Sequence, residues 1–374
     1  TTNHEKIIGV CGCVAQEEGA KLLKRFPEID LIFGPDQIYR LPELLELVES
    51  TNRPAVATEL INTAEDYHFL DAVPATRLHG PTAFITIMKG CNSHCSYCIV
   101  PKVRGTEVYR EARDIIREIE AMVERGCREV TLLGQNVNSY RDPKAETSFA
   151  NLIRLIADNT NINRIRFTSP HPKDVKEDLV EEYAHNAKLC PHIHLPLQSG
   201  ADSVLKRMRR AYNTGIYREK VAKLRNARVD LAMTSDIIVG FPSETAEEFE
   251  QTLSFVEEMQ FDNIYAFKYS PRPDTEAFAL EDDVPLNVKD ERLSRLLTLQ
   301  SKIAKARNEA HLGTMQEVLV EGPDKMASGR WMGKSGGNKV VNFTGNAILR
   351  GDIVNVEITK ANANSLEGRV GVHG

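Results

Sequence analysis

Long apolar runs, aromatic residues and an excess of positive charge are all scarce in this sequence of 374 residues. No apolar run approaches the roughly 20 residues that a membrane-spanning helix needs, and no secretory signal is recognisable. The formal net charge is −6, whereas a protein that binds nucleic acid over its whole surface is usually basic. Any contact with RNA must therefore use a local patch.

Cysteine is also sparse and unevenly placed. There are seven, an odd number, and their spacing does not suggest the disulfide framework of a secreted domain. Three of them stand together between positions 91 and 98, which indicates a metal site in a reducing cytoplasm. The remaining composition is that of an ordinary globular protein with room for two or three domains.

Residues 1–75 predict an α/β domain that is cut off at its front. A strand ends at Cys11-Gly12-Cys13, and a helix over 17–25, a strand over 30–33 and a helix over 39–49 follow it. The chain starts with Thr1 and enters strand-like sequence almost at once, so we expect that part of this domain is missing. Residues 52–80, with Pro54, Pro74 and then Pro81, are irregular and suggest a linker.

Strand and helix patterns alternate over residues 76–312, which predicts a parallel sheet with right-handed crossovers. Six such units are too few for the eight-stranded TIM barrel but suffice for an incomplete (βα)6 barrel. The pattern alone does not separate this from a doubly wound open sheet. The predicted strands cover 83–88, 129–133, 164–168, 192–196, 232–239 and 263–269, and the predicted helices cover 111–125, 149–159, 175–186, 215–226 and 244–259.

A long helix over 288–312 leads to a segment of different texture, residues 313–374. Its short alternating strands are predicted at 315–320, 329–333, 339–343, 353–359 and 365–370. Five short strands in so few residues indicate a small β-barrel, an architecture that often binds nucleic acid. Trp331, Asn342 and Phe343 could contact RNA there, although core burial is the simpler prediction for Phe343.

The strongest signal is the cysteine triplet Cys91, Cys95 and Cys98, spaced Cys-x3-Cys-x2-Cys in the loop after the first barrel strand. Three thiolates on one loop can hold three irons of a 4Fe–4S cluster and leave the fourth iron open to another ligand. S-adenosylmethionine can fill that position, and its reductive cleavage yields a 5′-deoxyadenosyl radical. A zinc site with His94 as fourth ligand is the alternative, although no second cysteine pair follows.

Polar residues recur after the predicted strands, where a βα barrel places its reactive groups. Gln135, Asn136, Ser169 and Gln198 are candidates for binding the cofactor, although each could be ordinary loop chemistry. Arg210 could bind the cofactor carboxylate, since arginine matches that group with two hydrogen bonds. Tyr97, directly before the third cysteine, could meet the adenine or serve as a core aromatic. Cys127, Cys190 and the isolated histidines His185, His192 and His194 are expected to be structural.

Nine basic residues lie between Lys206 and Arg228, and only Glu219 opposes them in the sequence. Such a run is most often a solvated helix face, but in an acidic protein it also favours phosphate contact. The acidic run over 244–258 is expected to be its solvated counterpart.

These motifs together resemble the radical methylthiotransferase family, and most closely its branch that modifies isopentenyladenosine in tRNA. The resemblance spans essentially the whole chain and keeps the family's order of motifs. Its landmarks are Gly12-Cys13-Val14-Ala15-Gln16, the cysteine triplet, Arg104-Gly105, Leu133-Gly134-Gln135-Asn136-Val137-Asn138, Arg166-Phe167-Thr168-Ser169-Pro170-His171, His194-Leu195-Pro196-Leu197-Gln198-Ser199-Gly200 and Asp236-Ile237-Ile238-Val239-Gly240-Phe241-Pro242. Related branches act on a threonylcarbamoyl adenosine or on a ribosomal protein aspartate.

The resemblance implies a second, auxiliary 4Fe–4S cluster in the first domain, the radical barrel, and a C-terminal TRAM domain that binds RNA. Cys13 matches the third ligand of the auxiliary cluster, and the other two are expected upstream. One S-adenosylmethionine would methylate a sulfur on that cluster, and a second would yield the radical that takes hydrogen from carbon 2 of the adenine. The implied partners are a tRNA anticodon stem-loop, with its base splayed out, and a low-potential electron donor such as a flavodoxin. A zinc-holding RNA-binding protein without catalysis is the alternative from another class.

Overall fold

The computed structural model describes residues 6–63, 66–67, 69, 80–324 and 329–371. Pro74 of the predicted linker and Lys325 of the terminal segment lie outside the described residues. No helix in these ranges combines the length and the apolar character that crossing a bilayer requires.

The first domain is a three-stranded parallel sheet of order β1-β2-β3 with short helices around it. Its elements are β1 (Gly9–Cys11), α1 (Cys13–Glu18), α2 (Lys21–Arg25), β2 (Leu31–Phe33), α3 (Leu41–Thr51) and β3 (Ala55–Ala57). The single helix predicted over 17–25 is wrong, because Gly19 takes a positive φ of 51° and separates α1 from α2. Strand β3 lies in the segment predicted as an irregular linker.

The central part contains six parallel strands arranged as two three-stranded sheets, β4-β7-β8 and β11-β10-β9. The strands are β4 (Thr82–Thr86), β7 (Glu129–Leu133), β8 (Arg164–Phe167), β9 (His192–His194), β10 (Ala232–Val239) and β11 (Asn263–Lys268). A parallel bridge links Ile165 of β8 to Leu189, three residues before β9, and among the described residues β4 and β11 do not pair with each other. The incomplete (βα)6 barrel predicted from the sequence is confirmed.

The predicted first strand over 83–88 is two strands. After β4, the chain forms β5 (Met88–Lys89), which pairs antiparallel with β6 (Val108–Tyr109). Ile87 stands between β4 and β5, where its N–H donates to Leu133 O and its carbonyl accepts from Arg110 N. The chain therefore leaves the parallel sheet just before the cysteine loop, and β5 and β6 hold both ends of that loop.

Helices cover the outside of the barrel, and their apolar residues recur at helical spacing. In one of them Ile115, Ile119 and Met122 are buried against the strands. The helix after β10 begins with a capping box formed by Thr245 and Glu248. The helices are α4 (Val100–Arg104), α5 (Ala112–Glu124), α6 (Phe149–Asn159), α7 (Glu177–His185), α8 (Asp202–Arg207), α9 (Thr214–Ala227) and α10 (Ala246–Met259).

A 24-residue helix, α11 (Leu286–Glu309), leads into a closed five-stranded barrel of order β12-β13-β14-β16-β15. The strands of this terminal barrel are β12 (Met315–Pro323), β13 (Trp331–Ser335), β14 (Val340–Thr344), β15 (Ile353–Ala361) and β16 (Leu366–Val370). Phe343 is fully buried in its core, as predicted, and Trp331 packs against that core while partly exposed.

The terminal barrel contacts the end of the central barrel where the parallel strands begin. Arg164 donates to the carbonyls of Lys334 and Glu317, both at 2.9 Å. Arg166 donates to Gly336 O and Ser335 O, both at 2.8 Å. These donors satisfy carbonyls that would otherwise lose their hydrogen bonds on burial, so the two arginines fix the terminal barrel at this end.

Candidate functional site

The loop that carries the cysteine triplet takes its shape from Gly90, the residue after β5. Gly90 has a φ of 79°, and a Cβ there would stand 1.9 Å from Thr106 O. Its N–H donates to Gln135 Oε1 at 2.6 Å. Only glycine fits such a close approach at positive φ without strain, so the backbone at Thr106, just before β6, determines where the loop begins.

The middle of the loop is held by side chains from the barrel. Asn92 and Glu107 bond reciprocally, with Asn92 N donating to Glu107 Oε1 at 3.2 Å and Glu107 N donating to Asn92 Oδ1 at 3.1 Å. Lys173, which follows β8, donates to Ser93 Oγ at 3.0 Å. The loop is therefore tied to two neighbouring segments of the same rim.

Ser96 ties the end of the loop to the opposite side of the rim. Its hydroxyl donates to Arg207 O at 2.8 Å and its N–H donates to Met208 O at 3.0 Å. Its carbonyl accepts from Ala277 N at 2.7 Å. The loop is thus preorganised by the first, second, third, fourth and sixth strand units before any metal binds.

The thiols of Cys91, Cys95 and Cys98 are free and partly exposed. Burial raises the pKa of Cys98 to about 11 and also raises the pKa of Cys91. Iron binds the thiolate, so loading a cluster would displace the protons of these two thiols. Thiols with no disulfide on a preorganised loop fit the ligand set of an iron–sulfur cluster.

Within the described ranges, no group of three or more His, Cys, Asp or Glu side chains converges on a single metal ion. A tetrahedral zinc site needs such convergence of four ligands, so the zinc alternative with His94 gains no support. A 4Fe–4S cluster differs, because each thiolate binds a different iron and the cysteines surround the cluster.

Arg210 lies against the triplet. Its Nη1 donates to Cys95 Sγ at 3.2 Å, its Nε to Tyr212 Oη at 2.9 Å and its Nη2 to Pro196 O at 3.3 Å. Each of its three nitrogens already has a protein partner, so whether Arg210 also meets a cofactor carboxylate, as predicted, stays a prediction.

The other predicted cofactor residues divide into two kinds. Gln135 and Asn136 have protein partners: Gln135 accepts from Gly90, and Asn136 Nδ2 donates to Asp174 Oδ2 at 3.0 Å. Ser169 and Gln198 both take positive φ, 57° and 75°, and their side chains make no hydrogen bond to other described residues. The second pair is therefore free to bind a ligand, whereas the first pair shapes the rim.

Tyr97 is part of a small apolar cluster beneath the loop. Its ring meets Phe241 edge to face with centroids 6.5 Å apart, and the cluster includes Ala201, Val204 and Met208. This contact agrees with the core-aromatic alternative, and the contact with adenine remains a prediction.

The first domain brings Cys13 against α4, the helix that follows the triplet. Cys13 begins α1, and Arg104 Nε donates to its Sγ at 3.2 Å. Arg104 ends α4, the helix that directly follows Cys98. Cys11, in contrast, is exposed at the end of β1, so of the two it is Cys13 that contacts the helix after the cysteine loop.

Sequence reasoning missed the buried ion pair that joins the first domain to this loop. Lys89 Nζ lies 2.5 Å from Asp36 Oδ2, and both side chains are essentially inaccessible. Lys89 also donates to Ile61 O, and Asp36 accepts from Ile61 N at 3.0 Å. A lysine directly after the apolar run ending at Met88 could have signalled a buried charge, which requires a partner.

Within the basic stretch itself Glu219 is the one acid, but acids from elsewhere in the chain pair with its cations in the structure. Arg207 pairs with Glu248 at 2.7 Å and Arg218 with Glu258 at 2.5 Å, both on α10. The acidic run is therefore more than a solvated face, because it neutralises part of the basic one. Lys206 makes no ion pair with a described residue.

The remaining predicted structural residues behave as expected. Cys127 and Cys190 are buried. Burial lowers the pKa of His192 to about 3, so it stays neutral. His194 lies 3.0 Å from Thr234 Oγ1 and 3.2 Å from Asp236 Oδ2, facing the barrel interior.

Comparison with known proteins gives two family matches within the chain. Residues 85–256 match the radical SAM superfamily, and residues 309–370 match the TRAM domain. The first match contains the cysteine loop, and the second contains the closed terminal barrel, so both assignments made from the sequence are confirmed.

Curated relatives resemble the chain over nearly its full length. The tRNA-2-methylthio-N(6)-dimethylallyladenosine synthase of Geobacter metallireducens is 48% identical over 98% of this chain and 82% of the relative. The enzymes of the same name from Paracidovorax citrulli and Coxiella burnetii are 44% and 42% identical, each over 97% of this chain and over 81% and 83% of themselves.

Solved structures agree at the level of the fold. The radical S-adenosylmethionine methyltransferase TsrM from Kitasatospora setae superposes with a TM-score of 0.53 and 15% identity, covering 86% of this chain and 63% of that chain. The cobalamin-dependent S-adenosylmethionine radical enzyme OxsB gives a TM-score of 0.52 at 14% identity, over 80% of this chain and 43% of that chain.

Proposed function

This chain belongs to the tRNA-2-methylthio-N(6)-dimethylallyladenosine synthases, radical SAM enzymes with a TRAM domain, and we propose that it transfers a methylthio group to carbon 2 of N6-dimethylallyladenosine in tRNA. The observation that carries this proposal is the preorganised loop of Cys91, Cys95 and Cys98 at the carboxyl ends of the parallel strands. This is the end at which βα barrels carry out their chemistry.

A 4Fe–4S cluster with S-adenosylmethionine supplies, when bound, a radical that can remove hydrogen from a carbon no base could deprotonate. Cys91, Cys95 and Cys98 are the residues that would hold the iron. The side chains around them fix the loop, so the three sulfurs need little rearrangement. Arg210 donates to Cys95 Sγ at 3.2 Å and helps to hold that sulfur in place.

Ser169 and Gln198 are the rim residues best suited to hold the polar groups of S-adenosylmethionine. Their side chains lack partners among the described residues, and each follows a parallel strand. Gln198 is held by backbone bonds, donating to Asp236 O at 2.8 Å and accepting from Ile238 N at 2.9 Å. A rigid backbone with a free amide is a suitable arrangement for orienting a ligand.

We further propose that Cys13 is a ligand of an auxiliary 4Fe–4S cluster. Its Sγ accepts a hydrogen bond from Arg104, and Arg104 ends the helix after the radical loop. This contact would keep the donor of the methylthio group beside the site at which the substrate radical forms. The other two thiolates implied by the family resemblance match no position of this sequence.

The tRNA would present its modified adenosine to this rim from an anticodon stem-loop, with the base turned out of its stack. A flavodoxin-type protein is the proposed electron donor, because cleavage of S-adenosylmethionine needs a low-potential electron. A cytoplasmic site of action fits both partners and the seven free thiols.

Mass analysis of tRNA nucleosides tests the proposal. The full-length enzyme, reconstituted under anaerobic conditions, should add a methylthio group to dimethylallyladenosine and leave threonylcarbamoyl adenosine unchanged. The variant C13A should still form 5′-deoxyadenosine but no methylthio product. Product on threonylcarbamoyl adenosine or on a ribosomal protein would overturn the substrate assignment, and normal product from the variant would exclude Cys13 as a ligand.

A further inference from the structure

The lysines and arginines of this protein differ in whether an acidic side chain forms an ion pair with them. Most described lysines and arginines form ion pairs, but five exposed ones around the cysteine loop have no acidic or carbonyl partner for their side chains among the described residues. These are Lys102, Arg141, Lys176, Lys206 and Arg272.

Contacts with the cysteine loop place these five cations around it. Lys102 lies on α4, four residues after Cys98. Lys206 lies in the helix whose end accepts two hydrogen bonds from Ser96, and Arg272 lies in the segment that donates to Ser96 O through Ala277 N. The chain segments that carry these unpaired cations thus adjoin the loop on two sides.

Lys176 and Arg141 complete the arrangement on the other side. Lys176 follows Lys173, which donates to Ser93 Oγ at 3.0 Å. Both Lys176 and Arg141 line a cleft of about 720 Å³ that Asn92 of the cysteine loop also lines. Two acids of this cleft form hydrogen bonds with asparagines, since Glu107 bonds Asn92 and Asp174 bonds Asn136. Two exposed acids, Glu146 in the same cleft and Asp274 near Arg272, form no ion pair among the residues described.

The terminal barrel shows the opposite pattern. Five of its cations pair with acids, namely Arg330 with Asp324, Lys334 with Glu321, Lys339 with Asp262, Lys360 with Glu367 and Arg369 with Glu357. A paired cation must give up its partner to bind a phosphate, whereas an unpaired one only releases counterions from the nucleic acid. The net charge of −6 makes such a local excess of positive charge more significant.

We propose that Lys102, Arg141, Lys176, Lys206 and Arg272 form the surface that binds the phosphate backbone of the RNA substrate. This inference rests on the proposed function and gives it an interface. The RNA lies across the rim over the cysteine loop, and the terminal barrel contributes shape and stacking more than charge. Because phosphate contacts position the substrate without reading its sequence, this surface sets where the modified base enters.

The test compares variants of the full-length enzyme in binding a fluorescein-labelled anticodon stem-loop over a range of KCl concentrations. K102A/K206A/R272A should weaken binding about tenfold or more at physiological salt. It should also lower the slope of log affinity against log salt by about 2 to 3, since each lost phosphate contact lowers it by about 0.7 to 0.9. K302A is the matched control, because Lys302 is exposed and equally unpaired but lies on α11, away from the rim. It should change the slope little.

Iron content and the midpoint of urea unfolding establish that the triple variant is folded. If the affinity and salt slope of the triple variant equal those of the parent, the rim is not the phosphate surface. The same follows if K302A lowers the slope as much for its one removed cation as the triple variant does for each of its three. Failure of the proposed function is a separate outcome: the parent would then bind the stem-loop but form no methylthio nucleoside.

Discussion

The two ends of the central barrel use their arginines in opposite ways. At the end where the parallel strands begin, Arg164 and Arg166 direct their guanidinium groups at backbone carbonyls of the terminal barrel. At the end where the strands finish, Arg104 and Arg210 direct theirs at the sulfurs of Cys13 and Cys95, each at 3.2 Å.

The difference follows from what each end must bind. Backbone carbonyls are fixed acceptors, so saturating them builds a permanent interface. A cysteine sulfur becomes a strong acceptor only as a thiolate, which is its form when bound to iron. The first end is therefore complete as a protein structure, whereas the second end is organised for groups that the polypeptide does not contain.

The largest expected effect is at the end of the central barrel where the parallel strands finish. C91A, C95A or C98A should abolish formation of 5′-deoxyadenosine, because each removes one of three thiolates that would hold the cluster. Anaerobic assay by liquid chromatography measures this. C11S is the matched control, since Cys11 is exposed and free, and it should retain full activity. Undiminished cleavage in any of the three variants would contradict the assignment.

A comparison of two glycines sharpens the claim that the loop is preorganised. Gly90 and Gly126 both take positive φ, but a Cβ at Gly90 would meet Thr106 O at 1.9 Å, whereas a Cβ at Gly126 would meet nothing within 4 Å. G126A should therefore cost only the backbone strain of about 1 kcal/mol. G90A should also displace the cysteine loop and lose most of its iron.

Iron analysis and the ultraviolet–visible spectrum of both reconstituted variants measure this difference. Equal iron content in the two would show that the close approach at Thr106 has no role in forming the site.

At the end of the central barrel where the parallel strands begin, the expected effect is on the free energy of unfolding. R166A removes the donors to Ser335 O and Gly336 O and breaks an ion pair with Glu129, where Nε and Oε1 are 2.8 Å apart. Breaking a buried pair costs about 3 kcal/mol. R154A, which breaks the pair between Glu182 and the half-exposed Arg154, should cost less. Urea unfolding compares the two, and equal losses would mean that the docking contacts contribute little.

The fold was largely predictable from the sequence because strand and helix periodicities are local signals. The six parallel strands, their helices and the terminal barrel all follow from them. The break at Ile87 was not predictable, because Met88 and Lys89 continue the same apolar run and leave the sheet only to pair with Val108 and Tyr109. Tertiary pairing decides that step, and no local pattern encodes it.

The site was predictable where one short motif carries the chemistry and less so where distant residues meet. The triplet stands in one loop, so its spacing sufficed. The partners of its neighbours lie far along the chain: Ser96 with Arg207, Gly90 with Gln135 and Lys89 with Asp36. The basic stretch was misjudged for the same reason, because the acids that pair with Arg207 and Arg218 lie on α10, about forty residues away.

The smallest expected effect concerns that basic stretch. R218A should leave the salt dependence of RNA binding nearly unchanged, because Arg218 already pairs with Glu258 at 2.5 Å. Its removal exposes an acid on α10 rather than deleting a phosphate contact, so at most a small nonspecific loss of affinity should follow. K206A changes the formal charge equally in the same part of the chain, but Lys206 has no acidic partner among the described residues, and the slope should fall by about 1. Binding of the labelled stem-loop at several salt concentrations separates the two variants. Equal slopes for R218A and K206A would mean that pairing in the free protein does not determine which cations meet the RNA.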